Sequence, residues 1–247
     1  MSSINELTTL QTEIRTCRRC LEEGYWIAPG PVLSGGPAAR VMLIGQAPGI
    51  TEAQVKRPFN AGSGRRLFQW LGQAGWDETT FRARAYMTAV TKCYPGRSSS
   101  GQGDRVATPF EQALCRPWLE QELKLIDPRL LILVGGLAIK LLYPPTARLN
   151  EIIGTAAYFP PEALRDSLNF DLSQATLVTS DERRATRKEG VPTRHLSLVT
   201  RHSPGGRFVV PLPHPSGASL WPNKAENQVL IDHALGLLAH IRKIHEL

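Results

Sequence analysis

The chain has 247 residues, 42% hydrophobic and 21% charged, a balance that excludes a predominantly disordered protein. Its longest apolar runs, Leu130–Val134 and Leu235–Ile241, fall well short of the roughly 20 residues a membrane helix needs. Lys and Arg number 29 against 22 Asp and Glu, and the resulting +7 suits an anionic partner such as nucleic acid.

In chain order, Asn5–Arg18 places Leu7, Leu10 and Ile14 on one face of a helix. Val41–Ile44 is a short apolar run that predicts a buried strand, ended by the turn Gly45-Gln-Ala-Pro-Gly49. A helix is expected over Ser63–Ala74 and a second strand over Ala85–Thr91, leading into Cys93. Ser98–Asp104 reads as a flexible loop, and Pro109–Ile126 as a helix with Leu114, Trp118, Leu119 and Leu123 inward. Leu130–Val134 predicts a third strand, followed by Gly135-Gly136 and a helix to Tyr143. Thr146–Arg194 reads as a charged insertion with a mobile surface segment, including Asp181–Lys188. Arg207–Leu212 predicts a fourth strand running into His214-Pro215-Ser216, and Asn227–Ile244 a closing helix. Strands alternate with helices, so a single domain is expected, built on a mostly parallel four-stranded sheet covered on both faces. The loops beyond the carboxyl ends of the strands would then meet in one crevice.

The polar N-terminus, Met1–Leu10, carries no signal-peptide core, so a cytoplasmic location with reduced thiols is expected. Cys17, Cys20, Cys93 and Cys115 include one C-x2-C pair, whose spacer lets both sulfurs face one ion or cluster. On spacing alone, tetrahedral zinc and a [4Fe–4S] cluster fit equally, and a chance pair with two core cysteines is the bland alternative. Arg18, Arg19, Lys92 and Arg116 flank three of the four and would lower thiolate pKa values.

The order of motifs carries more than any one of them. Gly45-x-Ala47-Pro48-Gly49-x-x-Glu52 is followed by Pro58-Phe59 and by Ser63-Gly64-x-x-Leu67. Tyr86–Val90 then leads to Lys92-Cys93, and His214-Pro215-Ser216 closes the set. The ensemble resembles the uracil-DNA glycosylase superfamily, most closely its iron–sulfur-containing family 4. That family's first motif reads G-E-A-P-G-x-x-E-D, then P-F-V-G-x-A-G, and its last reads H-P-S. In the chain 72 residues lie between Cys20 and Cys93 and 21 between Cys93 and Cys115. In the family the third cysteine follows the pair by about seventy residues and the fourth follows by about fifteen more, and the excess in the last gap here matches the Ser98–Asp104 loop.

The resemblance implies a three-layer α/β/α sandwich with a structural [4Fe–4S] cluster on Cys17, Cys20, Cys93 and Cys115, favoured over zinc. It further implies hydrolysis of the base–deoxyribose bond of a deaminated base flipped out of DNA. It assigns His214 to stabilising the departing base and Gln46 to the position of the family's catalytic Glu. Gly45, Ala47, Phe59 and Ala89 become base-binding positions. Ser63 and Ser216 become DNA contacts. In the Gly217–Trp221 loop, Leu220 or Trp221 is the candidate wedge. A nucleoid-associated monomer with DNA as its partner, and no membrane, is expected. Two departures bear on substrate: Gln46 replaces the Glu, and Ala89 replaces the Asn that reads the uracil edge. Asn60 or Gln46 would have to take over, or the enzyme is tuned to other deaminated bases such as hypoxanthine or xanthine. A binding protein without turnover and a small iron–sulfur or zinc redox protein are the competing readings. A phosphate-binding P-loop is disfavoured, since no Lys-Ser/Thr follows the Gly45 turn.

Overall fold

The computed structural model describes residues 3–101, 103–164, 171–179, 193–195, 206–217 and 219–247. Its helices and strands run α1 (Ser3–Thr16), α2 (Arg19–Glu22), β1 (Val41–Gly45), α3 (Ile50–Val55), α4 (Gly62–Gln73), α5 (Glu78–Arg84), β2 (Tyr86–Ala89), α6 (Pro109–Ile126) and β3 (Leu130–Val134). They continue with α7 (Gly136–Ile139), α8 (Leu149–Ile152), β4 (Thr155–Phe159), β5 (Thr176–Thr179), β6 (Thr193–His195), β7 (Arg207–Leu212) and α9 (Ala225–His245). No helix among the described residues is long and apolar enough to cross a membrane.

One seven-stranded sheet has the order β2-β1-β3-β7-β4-β5-β6. The four strands expected from sequence form its contiguous parallel half, with Ile44 opposite Thr88 and Leu133 opposite Pro211. Every residue of β1, β3 and β7 is buried, which is why these segments, apart from Arg207 at the start of β7, read as apolar runs rather than as alternating ones. α1, α2 and α6 pack together as one helical layer, and α4, α5 and α9 form the other. The α6 start is fixed chemically: Thr108 accepts the Glu111 N–H, Glu111 returns a bond to the Thr108 N–H, and Pro109 occupies the first turn.

The four-strand expectation needs correction. Thr155–Phe159 adds β4 antiparallel to β7, and β5 and β6 extend the sheet further. The described parts of the expected insertion are therefore sheet edge rather than an irregular surface segment. Ala156, Ala157, Tyr158 and Phe159 bury their side chains against the core, which the charge of the wider region obscures. The segment 181–188 lies outside the described residues. The helix after Gly135 is also shorter than expected, ending at Ile139.

Candidate active site

A cavity of about 580 Å³ opens beyond the carboxyl ends of β1, β2, β3 and β7. Gly45, Gln46, Ala47, Phe59, Ala89 and His214 all line it, together with Ser63 and Ser216. A sheet in which strand order reverses around β1 puts its ligand crevice at this end.

His214 is half-buried in the cavity wall, and desolvation holds its imidazole below the usual histidine range. The Ser216 N–H donates to Nδ1 at 3.3 Å, and the Ser216 hydroxyl lies 2.9 Å from the same nitrogen. A backbone N–H can only donate, so Nδ1 is the acceptor and the neutral ring carries its proton on Nε2. Ser216 thus orients the histidine, a contact the sequence reading did not foresee.

Gln46 lies beside His214. A Cβ on Gly135 would stand 2.9 Å from both the Gln46 Cδ and the His214 Cδ2, and φ there is +87°. Only glycine lets the β3–α7 turn pass between these two side chains. Leu137 N–H donates to Gln46 Oε1 at 3.0 Å, which fixes the amide's orientation and leaves its NH2 as the unspent end. Of the two residues offered as substitutes for the missing Asn, Gln46 lines the cavity. Asn60 does not, and its Oδ1 accepts from Arg57 at 3.3 Å.

Phe59 has φ +52°, a conformation costly for an aromatic residue. Arg82 holds it there, donating 2.8 Å hydrogen bonds to the carbonyls of Pro58 and Phe59. The ring rests on Gly45, where a Cβ would come within 2.9 Å of Cζ. Gly64 permits the same turn, since a Cβ there would collide with the Phe59 carbonyl. Among the wedge candidates, Leu220 is 75% exposed, whereas Trp221 packs half-buried against the core and its carbonyl accepts from Asn227. Ala218 of that loop lies outside the described residues.

The four cysteines come from the turn just after α1, from α2, the loop after β2 and α6, yet they line one small apolar cavity beside Trp118 and Lys92. Burial raises the Cys20 thiol to about 11 and the Cys93 thiol to about 12, and neighbouring cysteines add to both shifts. The Trp118 indole N–H points at the Cys17 Sγ and the Lys92 N–H at the Cys115 Sγ, each at 3.3 Å. Among the described residues no three ligand side chains approach closely enough to hold a single metal ion.

Two features escaped the sequence reading. Lys92, 1% exposed, pairs with Glu122 at 2.7 Å and donates to the Ala89 carbonyl at 2.7 Å. The Tyr86 and Thr88 hydroxyls also donate to Glu122. This buried network lies between the cavity floor and Cys115. A lysine read from sequence only as a cation flanking Cys93 therefore sits in the core, paired with a carboxylate. The described residues of the Ser98–Asp104 loop, expected to be flexible, are tied back by Ser98 N–H to Gly103 O at 3.0 Å and by a backbone β-bridge between Arg97 and Asp104. The loop delivers Asp104 to the cavity.

The sequence profile of the uracil DNA glycosylase superfamily matches residues 34–238. The chain is 26% identical over 145 residues to a Type-4 uracil-DNA glycosylase of Sulfurisphaera tokodaii, covering 57% of this chain and 59% of that one. It is 29% identical over 151 residues to a Type-4 enzyme of Pyrobaculum aerophilum, with 60% and 70% covered. A Type-5 uracil-DNA glycosylase from the same organism is 27% identical over 204 residues, covering 74% of this chain and 87% of its own. The chain spans 59% of the length of the first of these relatives. Since the profile covers most of the chain, including every strand of the sheet and the cavity residues from Gly45 to Ser216, this protein belongs to the uracil DNA glycosylase superfamily.

Proposed function

We propose that the protein is a monofunctional DNA glycosylase that excises a deaminated base, flipped from DNA, and leaves an abasic site for base excision repair. The observation that carries this reading is His214 and Phe59 on one cavity, with the imidazole neutral and its Nε2–H without a partner among the described residues. Flipping costs a few kcal/mol and delivers the base to a pocket that must stack its face and read its edge. Phe59 supplies the face. As the C1′–N bond breaks, negative charge gathers on the base, and the Nε2–H of His214 donates to a base carbonyl oxygen. Such a donor in a water-poor pocket contributes about 3–4 kcal/mol.

Ala89 offers no side-chain polar group, so the bidentate reading of a uracil edge is absent. The Gln46 NH2 donates to any ring carbonyl, a feature that uracil, hypoxanthine and xanthine share. We therefore assign a relaxed preference among deaminated bases. Ser63 and the amides near Ser216 would meet phosphates, and exposed Leu220 would fill the gap in the stack. The protein is read as one domain acting as a monomer.

Cys17, Cys20, Cys93 and Cys115 are assigned to a [4Fe–4S] cluster rather than zinc. Four thiolates with two N–H donors aimed at sulfur fit either group. The similarity to Type-4 uracil-DNA glycosylases, and the resemblance of the cysteine order to the iron–sulfur-containing family 4, favour the cluster. When bound, it supplies structural cross-linking between the N-terminal helices, the loop after β2 and α6.

Duplexes carrying single uracil, hypoxanthine or xanthine lesions, incubated with the protein and treated with alkali, test this reading. Cleavage at one or more lesions is expected, with an absorbance band near 400 nm for the cluster. Tight binding to an abasic-site duplex with no product from any lesion would favour the non-catalytic binding protein instead.

A further inference from the structure

Hydrolysis needs more than a donor to the leaving base. The sugar gains positive charge and the attacking water must lose a proton, and position 46 carries an amide that does neither. Among the described residues two carboxylates line the cavity, Glu52 and Asp104. Glu52 is committed elsewhere: it is buried, accepts the Gly49 N–H and closes the capping box that starts α3.

Asp104 is placed differently. It is exposed at the cavity rim, and its Oδ1 accepts from the Tyr94 hydroxyl at 2.9 Å. Its Oδ2 faces the Gly49 turn, 3.3 Å from where a Cβ on Gly49 would stand. No hydrogen bond from another described residue engages that oxygen. The loop is braced on both sides. Tyr94 meets Trp26 edge-on at 6.5 Å, and the Arg105 N–H donates to the Gly96 carbonyl at 2.9 Å. The neighbouring cation does not cancel the aspartate's charge, because the Arg105 guanidinium is clamped by both oxygens of Glu111 at 2.6 and 2.7 Å.

We propose that Asp104 is the carboxylate of the hydrolytic step, supplied by the very loop that lengthens the Cys93–Cys115 interval. A water bound between Asp104 and the Gly49 turn attacks C1′. Its oxygen bonds to C1′ while the C1′–N bond breaks, the bonding pair leaves on the base, and the water's proton passes to Asp104. The base anion, held by His214, then takes a proton from solvent, and Asp104 returns its own to solvent. Before transfer, the carboxylate's charge stabilises the cationic sugar. Tyr94 is a positioning residue for Asp104.

This inference rests on the glycosylase reading, and its test separates the two. Single-turnover excision is measured for the full chain and for Asp104→Asn, Asp104→Ala and Tyr94→Phe, on whichever lesion duplex the wild type cleaves. Removing a general base typically slows chemistry by 10²–10⁴-fold. Asp104→Asn is therefore expected to lose about 100-fold or more, with affinity for an abasic-site duplex unchanged within about twofold. Formate should restore part of the rate to Asp104→Ala, which a merely structural role would not allow. Asp104→Asn excising at wild-type rate, or losing rate and abasic-site affinity together, would overturn the assignment while leaving the glycosylase reading intact. A wild type inactive on every lesion would overturn both.

Discussion

Burial keeps the His214 imidazole below its ordinary value of 6.5, and Ser216 fixes its tautomer. In the unfolded chain the same group protonates near 6.5. Between the folded and unfolded values the unfolded state binds more protons, so stability rises with pH across that window. The contribution is complete above 6.5 and is lost as pH falls toward the folded value. NMR titration of the histidine ring signals should give His214 a midpoint below 6.5. His214→Gln should remove its share of the acid destabilisation seen in denaturant melts. His214→Ala should slow excision by about 100-fold or more, since an oxyanion-type donor is lost. Gly135 gives a second residue-scale expectation. Gly135→Ala forces a side chain onto a backbone with φ +87° and into both Gln46 and His214. Activity should fall at least tenfold, and the protein should be destabilised by about 1–3 kcal/mol in urea melts.

At the scale of elements, the parallel half of the sheet was legible because strands buried on both faces are written as apolar runs. Leu130–Val134 and Arg207–Leu212 match those runs residue for residue. Gly45, Phe59 and His214 were legible because motif order survives even where spacing changes. What was hidden depends on pairing across the fold. β4 hides among charged neighbours because its alanines carry little apolar signal. Lys92 reads only as a cation beside Cys93 until Glu122, on α6, is brought to 2.7 Å from it. Asp104 reads as loop filler until Tyr94 catches it. The Lys92–Glu122 pair yields a prediction of its own. Lys92→Met strands a carboxylate with 0% exposure, and breaking a buried pair this way costs about 3–5 kcal/mol. Urea unfolding should show that loss. Excision should weaken too, because the Ala89 carbonyl at the cavity floor loses its partner.

On the scale of the whole molecule, the proposed function gives the charge excess and the cavity different parts of one ligand. The cavity would take a single base, and nothing in it explains seven surplus cations. The basic side chains of Lys56, Arg57, Arg65 and Arg66 lie on α4 and on the turn before it, the side from which Phe59 and Ser63 enter the cavity. Arg66 is engaged by Asn223 at 2.7 Å, so it ties the wedge loop to α4, whereas Arg65 is exposed. If these groups neutralise phosphates, each contact releases counterions, and the logarithm of affinity falls linearly with the logarithm of salt concentration by about 0.9 per phosphate. Fluorescence anisotropy of an abasic-site duplex across a salt series should give a steep negative slope. Arg65→Ala should make it shallower by about 0.9 while leaving single-turnover excision at saturating enzyme unchanged. A slope near zero in the wild type would mean that the surplus charge does not face DNA at all, and that base capture alone holds the complex.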